Sequence, residues 1–226
     1  VRLRLVPAYG LRRREWCART DDCLANIDEL IETNRNFDFY WYPRSDVVKI
    51  RTMNPPGKEP GGINFARCVE DKTGWSSNVI PKRRTLKFDE MEYAIPAEAA
   101  ISCFQEVRRR VKHTYRRTVG WRLLYRTVAP DDADLSFTQG RDVVTISLHQ
   151  NNTLPFQEYF LGIEPIFLDY GGRPHWAKKH SLSADRVAGL YPGLQNFLEL
   201  RRRADPEGIF INPYLRGLLG IEGEKA

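Results

Sequence analysis

The chain has 226 residues, 42% of them hydrophobic and 12% aromatic, and its 35 Lys and Arg against 29 Asp and Glu leave a net charge of +6. That length and apolar content support one large domain, or one domain with a docking tail, and exclude a disordered chain. No apolar run approaches the roughly 20 residues that cross a bilayer and no signal peptide is evident, so the expectation is a cytoplasmic protein without a membrane span.

Taken in chain order, residues 1–6 alternate apolar and basic side chains and predict a strand. Asp21 or Asp22 is placed to cap a helix with Leu24, Ile27, Leu30 and Ile31 on one face. Residues 37–42 and 47–52 predict two strands joined by the turn-rich 43–46. Residues 53–84 hold four Pro and four Gly, which predicts a long irregular excursion. A strand is expected over 86–94. Pro96 then fits a first helical position, with Ala99, Ala100, Cys103, Phe104 and Val107 as an apolar stripe.

Strands over 120–128 and 143–149 follow. In the first, Trp121, Leu123 and Tyr125 share a face, leaving Arg122, Leu124 and Arg126 on the other; in the second, Val144, Ile146 and Leu148 oppose Val143, Thr145, Ser147 and His149. One sheet face is therefore apolar and one polar, and the polar face is either solvated or, under a second domain, the lining of a wet cleft. Pro155 opens a helix that Gly171-Gly172 stops. Helices from about Ser183 and over 196–203 precede a tail, 205–226. The order argues for an α+β domain: an antiparallel sheet with helices packed on one face.

The four cysteines (Cys17, Cys23, Cys68, Cys103) show no C-x-x-C pair and no metal spacing with His113, His149, His175 and His180, so reduced thiols and no metal are expected. Basic runs stand at Arg12-Arg13-Arg14, Lys82-Arg83-Arg84, Arg108-Arg109-Arg110, Arg116-Arg117 and Arg201-Arg202-Arg203. Two of them end predicted helices, where cations complement the helix dipole, and aromatics are not interleaved with them, so nucleic acid is not the expected partner.

The run Gly171-Gly172-Arg173-Pro174-His175-Trp176-Ala177-Lys178-Lys179-His180 crowds polar groups between flexible and rigid residues, as an active-site loop does; a basic surface turn is the alternative. Its Arg173–Lys178 portion resembles the Arg-Pro-His-Trp-Gly-Lys element of the FAD-dependent sugar-lactone and alditol oxidases of the vanillyl-alcohol-oxidase superfamily. Tyr191-Pro192, Phe197, Arg201 and the stretch from Asp205 to Leu215 resemble that family's closing segment. Tyr125-Arg126, Asp131-Asp132, Leu135-Ser136 and Gly140-Arg141-Asp142 resemble its central strand pair, and Phe39-Tyr40-Trp41-Tyr42-Pro43 matches more loosely.

The resemblance implies a cap and substrate domain over 1–170, then an active-site loop and C-terminal segment over 171–226 that contacts a flavin domain. The glycine-rich pyrophosphate loop of the flavin domain is not found here, so FAD would be bound mainly by a domain on another chain or a removed segment, with a small sugar lactone or polyol as substrate. Arg126 takes the place of the Arg in the family's Glu-x-Arg element, where a guanidinium fork suits a sugar oxygen. Its Glu position is Leu124, a departure that leaves the polyol specificity open. Ser147 and Thr145 are assigned to substrate, and His149 to the base that takes the hydroxyl proton, with a ring bonded to backbone at the sheet surface as its alternative. Lys178 is assigned to catalysis and to the flavin, whose negative charge on reduction an ammonium balances; His175 and Trp176 shape the cofactor side of the loop. The competing expectation is a non-catalytic interaction module derived from such a cap.

Overall fold

The computed structural model describes residues 4–61, 63–80 and 85–221. These form an eight-stranded sheet: β1 (Gly10–Arg19), β2 (Asn36–Tyr42), β3 (Val47–Asn54), β4 (Arg67–Trp75), β5 (Phe88–Pro96), β6 (Leu123–Val128), β7 (Val143–Asn151) and the two-residue β8 (Arg173–Pro174). Their spatial order is β4-β1-β3-β2-β6-β7-β5-β8, with every neighbouring pair antiparallel. Helices α1 (Thr20–Ala25), α2 (Ile27–Thr33), α4 (Ala100–Arg110) and α5 (Gln157–Asp169) contribute to the core over one face, and the short α3 (Ser76–Val79) sits at the β1–β4 edge. The α+β architecture expected from the alternation is the one observed.

Period-two alternation decides the layering. Phe37, Phe39 and Trp41 of β2, Val48 and Ile50 of β3, Met91, Tyr93 and Ile95 of β5, Leu123 and Tyr125 of β6, and Val144, Ile146 and Leu148 of β7 all enter one buried core. Phe39 stacks on Tyr125 at 4.7 Å between ring centroids. Phe104 of α4 meets Phe39, Tyr125 and Trp41 edge-on at 5.2, 5.7 and 5.8 Å. This one ring plugs the helix layer into the sheet, with the edge-to-face geometry that aromatic quadrupoles favour. Above it, Gly162 lets α5 pass directly over Tyr115, for a Cβ there would lie 1.9 Å from the Tyr115 hydroxyl.

Several expectations need correction. Residues 4–9 carry no regular structure, and the strand expected at 1–6 otherwise falls outside the described residues; the first strand is β1, which contains the Arg12-Arg13-Arg14 run. The excursion 53–84 contains β4 and α3. Its strand escaped notice because it is an edge strand of mostly exposed residues with no apolar alternation. What binds it to β1 is charge: Arg12 pairs with Asp71 at 2.6 Å and with Glu59 at 2.7 Å, Arg14 with Asp71 at 3.0 Å and also with Glu59, and Arg13 with Glu70. The run Lys82-Arg83-Arg84 lies outside the described residues.

The first helix is two, interrupted at Asn26, whose side-chain amide donates to the Asp22 carbonyl at 2.8 Å. Asp21 and Asp22 lie in the first turn and not at the cap. Pro96 ends β5 and the helical stretch starts after it, with a 3-10 turn at Ala97–Ala99 and a π-helical end at Val111–Tyr115. Gly171 stops α5 in the left-handed conformation (φ +69°), with the Gly172 amide bonded to Phe167 O at 2.8 Å.

The boundary expected at 170/171 falls inside a continuous unit, because β8 pairs with β5 as the sheet's last strand. Beyond it, α6 (Ala184–Leu190), α7 (Leu194–Ala204) and α8 (Pro213–Leu218) enclose a second apolar cluster of Val187, Tyr191, Leu194, Leu198, Leu218, Leu219 and Ile221. The tail from 205 is thus core at Leu218 and Leu219, while Ile209 and Phe210 are 74% and 82% exposed. Cys23 and Cys103 are buried free thiols that desolvation pushes up to about 12.

Phe104→Ala is expected to destabilise the chain by about 3–5 kcal/mol, the usual scale for deleting a fully buried aromatic ring. Urea unfolding checks this, and a loss under about 1 kcal/mol would mean that the ring is not the plug described.

Candidate active site

The other sheet face is the polar one, and register arranges it as a grid. One row across the strands reads Arg51 (β3), Asp38 (β2), Arg126 (β6), Thr145 (β7); the next reads Lys49, Tyr40, Leu124, Ser147 and then Glu92 (β5). In a third, His149 faces Glu90. A groove of about 940 Å³ runs over this grid, walled by Ile80, Leu86 and Phe88 and closed at one end by His175 and Lys178 from the loop after β8.

Each of four carboxylates on this face holds a cation. Glu15 pairs with Lys49, Asp38 with Arg51 at 2.8 Å, Glu92 with Arg126 at 3.0 Å, and Glu90 with Lys178 at 2.5 Å. Burial pushes the Asp38 carboxyl up, and Arg51 offsets this only in part. Burial also acts to raise the Glu90 carboxyl, but His149 and Lys178 outweigh it and hold that group down at about 2. His149 is fully buried, with Nδ1 3.0 Å from the Arg122 carbonyl and Nε2 3.2 Å from Glu90. A carbonyl only accepts, so Nδ1 carries a proton and Nε2 is left facing the carboxylate.

The loop is clipped to the strand that carries these carboxylates. The His175 amide donates to Glu92 O at 2.9 Å and the Lys179 amide to Glu90 O at 2.8 Å, so the loop continues the β8 pairing. Lys178 thereby points to the groove. Lys179 goes elsewhere, to Asp89 at 3.4 Å and over the Phe156 ring. Trp176 donates to Leu135 O at 2.7 Å and packs on Tyr191, in the second apolar cluster and away from the groove.

Of the residues singled out from the sequence, Arg126, Lys178, Leu124 and His175 line one groove. Thr145, Ser147 and His149 lie fully buried in the same face, and the Thr145 and Ser147 hydroxyls have no hydrogen-bond partner. Glu90 and Glu92 were not anticipated. Their signal was present in Asp89-Glu90-Met91-Glu92-Tyr93, where two acids alternate with two apolar residues. The alternation by itself does not say that β5 lies beside β7.

Comparison with known proteins gives the family and the fold. The family described as D-arabinono-1,4-lactone oxidase matches residues 1–67 and 62–218. The chain belongs to that family. It is 30% identical to an L-gulono-1,4-lactone dehydrogenase of Mycobacterium tuberculosis over 262 aligned residues, covering 97% of this chain and 60% of the relative. Over 136 residues it is 35% identical to an alditol oxidase of a Streptomyces species, covering 58% of this chain and 31% of the relative. The chain thus spans about 60% of the length of the lactone dehydrogenase it matches. In fold it is similar to cholesterol oxidase from B. sterolicum (TM-score 0.78, 14% identity, 94% of this chain and 60% of that one). It is also similar to a glucooligosaccharide oxidase from Acremonium strictum that carries FAD (TM-score 0.63, 10% identity, 88% and 54%). Among the described residues no helix is long and apolar enough to cross a membrane.

A carboxyl held at about 2 in the folded chain, against an ordinary value near 4.5, stabilises the fold fully above the ordinary value and loses that contribution as the pH falls toward 2. Glu90→Gln is therefore expected to cost on the order of 2–3 kcal/mol at pH 7 and progressively less toward pH 3. Urea unfolding of both proteins at pH 7, 5 and 3 checks this, and a pH-independent difference would remove the Glu90 linkage.

Proposed function

We propose that this chain is the substrate-binding and catalytic half of an FAD-linked oxidoreductase acting on the CH–OH group of an aldonolactone or polyol. The observation that carries the reading is the convergence of Lys178 and Arg126, 52 residues apart, on one groove, each held by its own buried carboxylate on β5. Family membership supports the class of reaction.

The donor set suits a planar ring with acceptor oxygens: an ammonium at Lys178 and an imidazole at His175 at the groove end, beside the apolar wall of Leu86 and Phe88. FAD, when bound, would supply the acceptor for the hydride of the carbinol carbon, with the hydroxyl proton leaving to water in the open groove. The chain's own residues position and polarise. Glu90 aims the Lys178 ammonium, and Glu92 does the same for the Arg126 fork, whose other nitrogens are free to hold a hydroxyl or a lactone carbonyl. Leu124 gives the substrate's carbon chain an apolar floor.

His149 takes a different role here from the base first assigned to it. A fully buried ring with one nitrogen on a carbonyl and the other on Glu90 has no face for a substrate, so it acts as a positioning residue through Glu90. Trp176 likewise anchors the loop from the side away from the groove. The exposed Ile209, Phe210 and Tyr214 offer an apolar surface on which a flavin-binding domain would dock.

Lys178→Met and Arg126→Leu, each in the chain joined to its flavin-binding domain, are expected to lower turnover with an aldonolactone or polyol by about two orders of magnitude. Lys179→Met, on the other side of the loop, is expected to stay near normal. Stopped-flow flavin reduction is the measurement. If all three variants reduce flavin at the parental rate, the catalytic reading fails. The interaction-module reading, which the exposed Ile209 and Phe210 also fit, then takes its place.

A further inference from the structure

Among the described residues, the groove has one cation that no carboxylate of its lining holds. Its charged lining among the described residues comprises the four carboxylates Glu15, Asp38, Glu90 and Glu92 and five cations, Lys49, Arg51, Arg122, Arg126 and Lys178. Four of these cations each hold one of the carboxylates, as described above, and Glu15 meets Arg13 and Glu90 meets His149 besides. Among the described residues no carboxylate pairs with Arg122. Its guanidinium lies 4.0 Å from the centroid of the Tyr40 ring, and its Nε is buried without a hydrogen-bond partner.

A guanidinium that is partly desolvated on an aromatic face and still holds unspent donors binds oxyanions in a planar, bidentate way. Its place in the groove gives the binding a direction. Arg122 stands one residue before β6 and lines the same groove as Leu124 and Arg126 of that strand; at extended spacing Arg122 and Arg126 stand roughly 13 Å apart at the backbone. Leu124 between them is neutral and apolar, and the neighbouring carboxylates are already engaged, Glu92 by Arg126 and Glu90 by Lys178 and His149. The space between two such long side chains suits a short polyhydroxylated carbon chain, held at its reacting end by Arg126 and at its far end by Arg122.

Resting on the reading of this groove as a polyol or lactone site, we propose that Arg122 is a specificity-determining residue that receives a terminal oxyanion, so that the substrate class is an acidic sugar, carrying a carboxylate or a phosphate at the end remote from the oxidised carbon.

Calorimetric titration of the whole 226-residue chain with D-glucitol, D-gluconate, D-glucitol 6-phosphate and inorganic phosphate tests this. At least one of the two acidic polyols is expected to bind about tenfold more tightly than glucitol, the scale of one charge-assisted contact. Which of them does so identifies the oxyanion, and inorganic phosphate is expected to bind more weakly than the phosphorylated polyol. Arg122→Gln is expected to abolish the preference and Arg122→Lys to retain much of it, both with an unchanged unfolding midpoint. Equal binding of glucitol and the acidic polyols, a preference that survives in Arg122→Gln, inorganic phosphate matching the phosphorylated polyol, or no binding of any probe would each overturn the proposal. Where the acidic preference fails, glucitol binding that persists in Arg122→Gln and is lost in Arg126→Leu leaves the polyol reading in place without the acidic substrate.

Discussion

A carboxylate taken out of water on the face of a sheet must find a cation or protonate, and the polar face of this protein is organised by that requirement. Asp38, Glu90, Glu92 and Glu15 are all nearly buried, and each holds a long basic side chain across the strands. Because the partners come from β1, β2, β3, β5, β6 and the loop after β8, the pairs fix the positions of the groups that would meet a ligand. A guanidinium or ammonium tied at one end loses little further freedom on binding, the condition under which a charged contact favours catalysis most.

The opposite face explains why this arrangement is stiff. Stacked and edge-on aromatics from β2, β6 and α4 leave the central strands no room to slip, and a slip of one residue would turn Phe39 and Tyr125 to the groove and Tyr40 and Leu124 to the core. The dry face thus sets the register on which the wet face depends.

Much of this was legible in the sequence. The hairpin of β2 and β3, the two-faced β6 and β7, and the helices α4 to α7 announce themselves through apolar periods that match their geometry. Arg126 and Lys178 were found because they stand in motifs. Three things stayed hidden, for physical reasons. β1 and β4 are zipped by Arg12, Arg13 and Arg14 onto Glu70, Asp71 and Glu59, and charge pairing leaves no hydropathy period. Glu90 and Glu92 gain their meaning only from the pairing of β5 with β7, a contact between segments more than 50 residues apart. His149 reads as a reactive imidazole until Arg122 and Glu90 are seen to occupy both its nitrogens. Long-range strand order is what a single sequence conveys least well.

The two ends of the sheet also bear on how the chain behaves in solution. Open strand edges invite other chains to add on, yet β8 is only two residues long, too short to template a neighbour, and the outer strand β4 is studded with Arg67, Glu70, Asp71 and Lys72. A sheet of eight strands with such borders resists growing into stacked or fibrous assemblies even when no second domain covers it. The charged run that hid β4 from hydropathy is therefore also its guard against aggregation, and it lets a broad polar groove stay open to water without the sheet around it polymerising.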